Sequence, residues 1–279
     1  MTIDESRLLG SAVAMSAGLY CKFDHDHIVR QLNALRCRQE LLHRASRRIL
    51  ENAAAIEFDG LGEIRRVLDA LDLRRVILAG SLLGLTTATI LAVRSLGLKI
   101  ATVFAGIGAA HRACLEAAGI RLVDVRVHRK YALMALLRNL QADGHLLALR
   151  CDVPGHSRKR YRFLGYDVTC SNLIEAYARM NACTVVPIEA SLNSECETTL
   201  ACREPLHEPA ATMQTLLSQL ESAIYRDPVN YVWSNSSIIF SDRQAVRNGF
   251  SCLPDIVAWR ERGRAIEAPT AAAHSVTPP

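Results

Sequence analysis

From residue 75 onward, short apolar runs alternate with longer segments in which apolar residues recur at helical spacing. The apolar runs predict buried strands at 75–80, 99–104, 120–125, 145–150 and 183–188. The segments after them predict helices at 83–97, 108–118, 128–142, 171–180 and 209–225. This alternation is typical of an α/β domain with a largely parallel sheet, in which ligands bind at the carboxyl ends of the strands.

A different pattern precedes this domain. Between Asp26 and Ala55, apolar residues recur near helical spacing with six arginines between them, which predicts a long amphipathic helix with a basic face. A short helix is expected to follow through Leu71, and the tail from Gly263 has the composition of a disordered segment. We therefore predict an N-terminal helical segment at 1–72 packed on the main domain, an α/β domain at 73–262 and a disordered tail at 263–279.

The composition supports a folded chain in a reducing compartment. Of the 279 residues, 50% are hydrophobic and 22% charged, enough for a sizeable core, while aromatics at 5% argue against a stacking platform for single-stranded nucleic acid. The nine cysteines form no C-x-x-C pair and no zinc spacing. The apolar stretch from Leu8 to Leu19 lacks a basic region before it and is too short to span a bilayer. We expect a cytoplasmic protein, with peripheral contact to the inner membrane left open.

The net charge of +5 is unevenly distributed. Residues 121–162 carry ten basic side chains against three acids, a net +7, and residues 28–48 carry six arginines against one glutamate, a net +5. The rest of the chain is therefore −7. The larger segment predicts an anionic substrate or carrier, whereas the helix at 28–48 either presents a solvated face or contacts a membrane surface or a polyanion.

A basic loop follows the predicted strand at 145–150. Its cations could recognise a phosphate group of a phosphopantetheine arm, a lipid headgroup or an RNA backbone; the alternative is a solvated loop. The candidate substrate-binding cations are Arg150, Arg158, Lys159, Arg160 and Arg162.

Three stretches together resemble one known family. The first is Asp152 at a strand end, and the second is Tyr161-Arg-Phe-Leu-Gly165 with the segment 172–187, which ends in Val-Val-Pro. The third is Asp227-Pro-Val-Asn-Tyr-Val-Trp-Ser-Asn235. Their order and spacing are similar to those of the bacterial lipid A biosynthesis (lauroyl/myristoyl) acyltransferases of the lysophospholipid acyltransferase superfamily. The resemblance covers about residues 70–240 and implies an αβα sandwich preceded by N-terminal helices.

The resemblance also implies a chemistry, from which this chain departs. The family transfers an acyl group from a carrier thioester to a hydroxyl with a histidine and an acid five residues later, but Ser81 and Thr86 stand at those positions. Neither hydroxyl is a base near neutral pH. Arg121 stands 31 residues before Asp152, the interval of the family's active-site pair; it would hold phosphate or carbonyl charge and the aspartate would orient it. Loss of further family cations, such as Asn235 in place of a basic residue, argues against a phosphorylated lipid A type acceptor.

Further residues are candidate parts of the site. His156 is the candidate replacement base, with His111 a weaker one. Cys151 could attack a thioester. Side chains alternate along a strand, however, so Cys151 would point away from the side of Asp152, and a buried structural thiol is favoured. Glu189 could position an amine or form a salt bridge. Asp24 to His27 reads more simply as a helix cap than as half of a metal site, so no metal is predicted.

These features predict a divergent acyltransferase that moves an acyl or aminoacyl group to a small hydroxyl or amine acceptor. The donor would be acyl carrier protein, coenzyme A or aminoacyl-tRNA, so the acyl group arrives as a phosphopantetheine thioester or a tRNA ester. No tightly bound cofactor and no DNA partner are expected. Two alternatives stay open: an inactive acyltransferase-like binding protein, and a membrane-associated lipid acyltransferase whose base lies elsewhere.

Overall fold

The computed structural model describes residues 58–81, 86–153, 155, 159–163, 166–192, 198–208 and 212–226. Within these ranges the helices are α1 Leu61–Asp69, α2 Thr86–Ser95, α3 Ala109–Ala117, α4 Lys130–Ala142, α5 Leu173–Asn181 and α6 Met213–Arg226. The strands are β1 Phe58–Asp59, β2 Val76–Gly80, β3 Lys99–Phe104, β4 Arg121–Asp124, β5 His145–Arg150, β6 Tyr161–Phe163, β7 Tyr166–Val168, β8 Thr184–Leu192 and β9 Thr198–Cys202.

Seven of these strands form one sheet, in the order β1-β9-β8-β2-β5-β3-β4. The five strands from β8 to β4 are mutually parallel, whereas β9 runs antiparallel to β8 and pairs in parallel with β1. Strands β6 and β7 form a separate antiparallel pair. The mainly parallel central sheet predicted from the sequence is therefore confirmed.

Helices cover both faces of this sheet. Helices α1, α2 and α3 pack with one set of strand side chains, and α4, α5 and α6 pack with the alternate set. Because both faces are covered, consecutive strand residues are all apolar and buried, as along Val76–Ala79. The αβα sandwich is thus the observed architecture.

The connections that follow the neighbouring strands β2 and β5 lead to helices on opposite faces of the sheet. The chain passes from β2 to β3 through α2 on one face, and from β5 to β8 by way of α5 on the other. Strands β2 and β5 are adjacent, so the chain goes on from neighbouring strand ends to helices on opposite faces of the sheet. In open α/β sheets this divergence creates the crevice in which ligands bind.

The described part of the predicted N-terminal segment belongs to the same core. Strand β1 pairs with β9, and α1 buries Ile64 and Leu68 against the sheet. Gly60 joins the two elements with φ of 85°, and a Cβ there would overlap the carbonyl oxygen of Leu200. The predicted basic helix between Asp26 and Ala55, the residues from Asp24 to His27 and the predicted tail at 263–279 lie outside the described residues.

Candidate functional site

Ser81 directly follows β2, beside the end of β5. Gly80 is in register with Arg150, and the amide of Cys151 donates to the Gly80 carbonyl at 2.9 Å, so the two strands end side by side. Ser81 itself is buried. Thr86 begins α2, five residues after Ser81, and residues 82–85 between them lie outside the described residues. The two hydroxyl residues at the family's dyad positions thus stand at the end of β2 and at the start of α2.

Arg150 and Asp152 form an ion pair at the end of β5. The Arg150 Nε donates to Asp152 Oδ1 at 3.1 Å, and one terminal nitrogen of the guanidinium lies 3.4 Å from the Asp152 carbonyl oxygen. The aspartate side chain is fully buried, whereas a quarter of the arginine side chain is exposed. Asp152 therefore positions the Arg150 guanidinium, and the arginine is the member of the pair that reaches the surface.

The structure does not bring Arg121 together with Asp152. Arg121 is the first residue of β4, where it pairs with Ala101, and Ala101 pairs in turn with Leu147 on β5. Leu147 is five residues before Asp152, and β4 lies two strands from β5. Strand spacing and rise put the two Cα atoms about 19 Å apart. Arg121 is exposed, and the pairing that the resemblance implies for it is not present.

Glu189 lies beside Ser81 and is held by an arginine that the sequence analysis missed. Pairing of Ala79 with Pro187 places Glu189 level with Ser81 on the neighbouring strand. Both Glu189 oxygens accept hydrogen bonds from Arg203, at 2.9 and 2.7 Å. The salt-bridge alternative for Glu189 is therefore the observed one. Arg203 follows β9, and only a prediction of that antiparallel strand could have placed it there.

The basic loop is fastened to the domain at its start. The amide of Ser171 donates to the Val153 carbonyl at 2.8 Å, and a Cβ on Gly155 would overlap the backbone of Cys170 and Ser171. Only glycine allows this approach, so the chain is fixed within three residues of Asp152. His156 and Arg158 follow, but they lie outside the described residues.

Glu175 on α5 anchors the far end of the loop. Its carboxylate accepts from Lys159 Nζ at 2.7 Å and from the Met213 amide at 2.9 Å, and Tyr161 Oη lies 3.5 Å away. Burial alone would raise the pKa of Glu175, but the hydrogen bonds from Lys159 and Met213 outweigh it and lower the pKa. Lys159 is thus committed to a structural contact, and the sequence offered no local signal for this partner.

The other described cations of the loop are at the surface. Arg162 forms an exposed ion pair with Asp167 at 3.4 Å, and its backbone is bracketed by the side-chain amide of Gln214, which both accepts and donates at 2.9 Å. Arg160 is exposed. Arg160 and, on β6, Arg162 are therefore exposed to solvent, while Lys159 fastens the loop to the domain.

The described thiols are poor nucleophiles. Burial, helped by the charge of Asp152, raises the pKa of Cys151 well above its ordinary value, and burial raises the pKa of Cys170 to about 12. Burial likewise raises the pKa of Cys114, and that of Cys183 and Cys202 to about 11. These thiols are protonated at neutral pH, which agrees with the structural role favoured for Cys151.

One candidate base is described at the carboxyl edge. His111 lies in the first turn of α3, directly after β3, and β3 is the neighbour of β5 on the side away from β2. Beside it, the Arg112 guanidinium stacks over the Phe104 ring at 4.9 Å. An imidazole and a second cation thus lie at the same edge as Arg150. Within the described ranges, no three His, Cys, Asp or Glu side chains group as metal ligands.

No protein-family model matches the chain, and no curated protein matches it closely enough to count as a relative. In the part of the chain that the structure describes, no helix combines the length and the apolar character needed to cross a membrane.

Proposed function

We propose that the protein is a divergent acyltransferase. It moves an acyl or aminoacyl group from acyl carrier protein, coenzyme A or aminoacyl-tRNA to a small amine or hydroxyl acceptor in a specialised biosynthetic pathway. The observation that carries the proposal is the Arg150–Asp152 ion pair at the end of β5, beside the end of β2, where the chain goes on to helices on opposite faces of the sheet.

The chemistry suits these groups if the acceptor is itself nucleophilic. The acceptor nitrogen attacks the donor carbonyl carbon, the new C–N bond forms, the C–S or C–O bond of the donor breaks, and the nitrogen's proton leaves to water or to the departing group. Negative charge develops on the carbonyl oxygen during attack. An arginine fixed by a buried carboxylate stabilises that charge without reorganisation, which is the role we assign to Arg150.

The test is release of the free carrier from a loaded donor in the presence of a panel of small amines and hydroxylamine. Each of the three donor classes is supplied in turn. We expect Arg150→Met to lower kcat about 100-fold, the loss typical of one oxyanion-stabilising donor. Transfer from none of the donors, or an unchanged rate in Arg150→Met, would overturn the proposal.

A second substitution tests whether Arg121, which the resemblance places in the active site, takes part in transfer. If the resemblance places Arg121 correctly, Arg121→Met should abolish transfer; if the strand register decides, the rate should stay within about twofold of wild type. Arg66→Met on α1, an equally exposed arginine, is the matched control.

One observation favours the alternative function, that of an inactive acyltransferase-like binding protein. The Asp152 carboxylate is completely enclosed, so it cannot itself contact a substrate. In that case the chain binds the loaded donor, with affinity lowered in Arg150→Met, but releases no free carrier above the uncatalysed rate.

A further inference from the structure

Three residues from adjacent strands form a row at the carboxyl edge of the sheet. Asp124 on β4 pairs with Phe104 on β3. Two residues before Phe104, β3 pairs with Ala148, so Phe104 is level with Arg150 on β5. Ala148 packs with the helices α1 to α3, and side chains alternate along a strand, so the row lies on the face that these helices cover. The Cα atoms of Arg150 and Asp124 are thus about 10 Å apart along one side of the sheet.

Two further arginines lie over this row. The Arg112 guanidinium, from the first turn of α3, stacks on the Phe104 ring at 4.9 Å. The Arg126 guanidinium donates to the Asp124 carboxylate, at 3.0 Å from Nε and 2.6 Å from a terminal nitrogen. Hydrogen bonds from Arg126 and, more weakly, the charge of Arg112 lower the pKa of Asp124 to about 2, so both arginines lie close to this carboxylate. Together with Arg150, three guanidinium groups line one side of the carboxyl edge.

Arg112 and Arg126 both have N–H groups that could bind a ligand. Arg112 forms no hydrogen bond with any residue that the structure describes, and its ion pair with Glu116 is long, at 3.6 Å. The Nη1 of Arg126 lies over Gly106, where the φ of 91° and the missing Cβ leave that nitrogen uncovered; a Cβ there would lie 3.4 Å from it. The Arg126 side chain is 61% exposed and that of Arg112 41%. An incoming anion can therefore be held by two arginines that the protein already positions.

The charges along the row balance before any ligand binds. Each of the three arginines has one carboxylate partner: Arg150 has Asp152, Arg126 has Asp124 and Arg112 has Glu116. A phosphate dianion would add uncompensated negative charge to this balanced set. An amino acid brings one carboxylate together with one ammonium group, so it leaves the balance unchanged. Alternating positive and negative side chains therefore match a zwitterion better than a polyanion.

We infer that the row binds the acceptor and that the acceptor is an amino acid, an inference that rests on the proposed function. Arg112 and Arg126 hold its carboxylate, which directs its amine along the row toward Arg150 and the donor carbonyl. The ammonium group loses a proton to solvent, and the amine attacks the carbonyl carbon. The C–N bond forms, the C–S or C–O bond of the donor breaks, and the second nitrogen proton passes to the departing sulfur or oxygen. The product is an N-acyl amino acid or, from aminoacyl-tRNA, a dipeptide.

The experiment compares each amino acid with its own primary amide, which keeps the amine and loses the carboxylate. Carrier release is measured with glycine, β-alanine and γ-aminobutyrate, in which the chain between amine and carboxylate lengthens. Wild type should use the best acid with a kcat/KM about tenfold or more above that of its amide. In Arg112→Gln and in Arg126→Gln, KM for the acid should rise about tenfold or more, the loss typical of a hydrogen bond between charged groups, while kcat stays within about threefold. The preference for acid over amide should disappear in both variants, and Arg112→Lys should keep part of it.

Arg65→Gln on α1 is the matched control. Arg65 forms an exposed ion pair with Asp69 at 3.5 Å, at the same i, i+4 spacing as the ion pair of Arg112. This variant should change neither KM nor the preference by more than about twofold. Hydroxylamine, which has no carboxylate, should be acylated equally well by wild type and by the Arg112 and Arg126 variants. Equal use of acid and amide by wild type, an unchanged KM in both variants, or better use of phosphoethanolamine than of any amino acid would overturn the inference.

Calorimetric titration of the amino acid into the full chain, without a donor, separates the amino acid site from the transfer reaction. Circular dichroism shows that each variant is folded. If wild type binds the acid and both variants bind it about tenfold more weakly, but no donor supports transfer, the amino acid site stands and the acyltransferase proposal fails. If transfer occurs and the variants leave both binding and the preference for acid unchanged, only the inference of an amino acid acceptor fails.

Discussion

Glu175 offers the sharpest test of how the basic loop is held. Its carboxylate joins Lys159 from the loop to the amide of Met213 at the start of α6. The Lys159 side chain is half exposed, so that ion pair contributes at most about 1 kcal/mol. The Met213 amide loses the charge assistance of its bond in Glu175→Gln, which costs about 1 kcal/mol. We therefore expect Glu175→Gln to lower the free energy of unfolding by about 1–2 kcal/mol.

The effect must depend on pH with a defined sign. The pKa of Glu175 is lowered in the folded protein, so its ionisation stabilises the fold above the ordinary pKa of 4.5, and this stabilisation is lost as the pH falls through that value toward the folded pKa. The deficit of Glu175→Gln is therefore complete at pH 7 and shrinks on acidification.

Urea unfolding followed by circular dichroism between pH 7 and pH 4 measures this deficit. Glu116→Gln is the matched control, because Glu116 forms an exposed pair with Arg112 on α3 at 3.6 Å and should change stability by less than about 0.5 kcal/mol. The reasoning is refuted if Glu175→Gln behaves like this control at pH 7, or if its deficit is the same at both ends of the pH range.

Three other predictions concern residues away from the crevice. Gln141 is buried, donates to the Val76 carbonyl and accepts from Tyr177 Oη at 2.7 Å, so Gln141→Leu should cost about 2–4 kcal/mol in urea unfolding, and adding Tyr177→Phe should recover about 1 kcal/mol. The Asp124 carboxyl should titrate at about 2 by NMR, because hydrogen bonds from the side chain and backbone of Arg126 lower its pKa, and Arg126→Gln should raise it. Gly60→Ala should lower the free energy of unfolding by more than about 2 kcal/mol, since the new Cβ would meet a carbonyl of β9 in a left-handed backbone conformation.

The spacing of apolar residues along the sequence was sufficient to predict the central strands and the helices. The strands predicted at 99–104 and 145–150 agree with β3 and β5 to the residue, and the five predicted helices agree with α2 to α6 within a few residues at each end. Strands β1, β6, β7 and β9 were not predicted, because they lack the continuous apolar run of a strand that is buried on both faces. The parallel architecture was predictable for a physical reason: strands buried on both faces are continuously apolar.

The composition of the candidate site was only partly predictable. Arg150 and Asp152 lie beside the end of β2 because a predicted parallel strand ends at Arg150, and the carboxyl ends of parallel strands share an edge. Arg121 is separated from them because it begins a strand rather than ending one. The interval of 31 residues between Arg121 and Asp152 does not show whether Arg121 begins or ends a strand. That depends on where β4 starts to pair with β3.

The order of the five central strands and of the helices that follow them, the apolar faces that bury them and the concentration of positive charge at 121–162 could be predicted from the sequence, since these are local properties of the chain. The partners of several charges depend on the tertiary structure. The fold pairs Lys159 with Glu175 and Glu189 with Arg203, and it leaves Arg129 and Lys130 exposed. Ion pairs between residues far apart in sequence depend on strand register and helix packing, and no pattern of neighbouring residues encodes either.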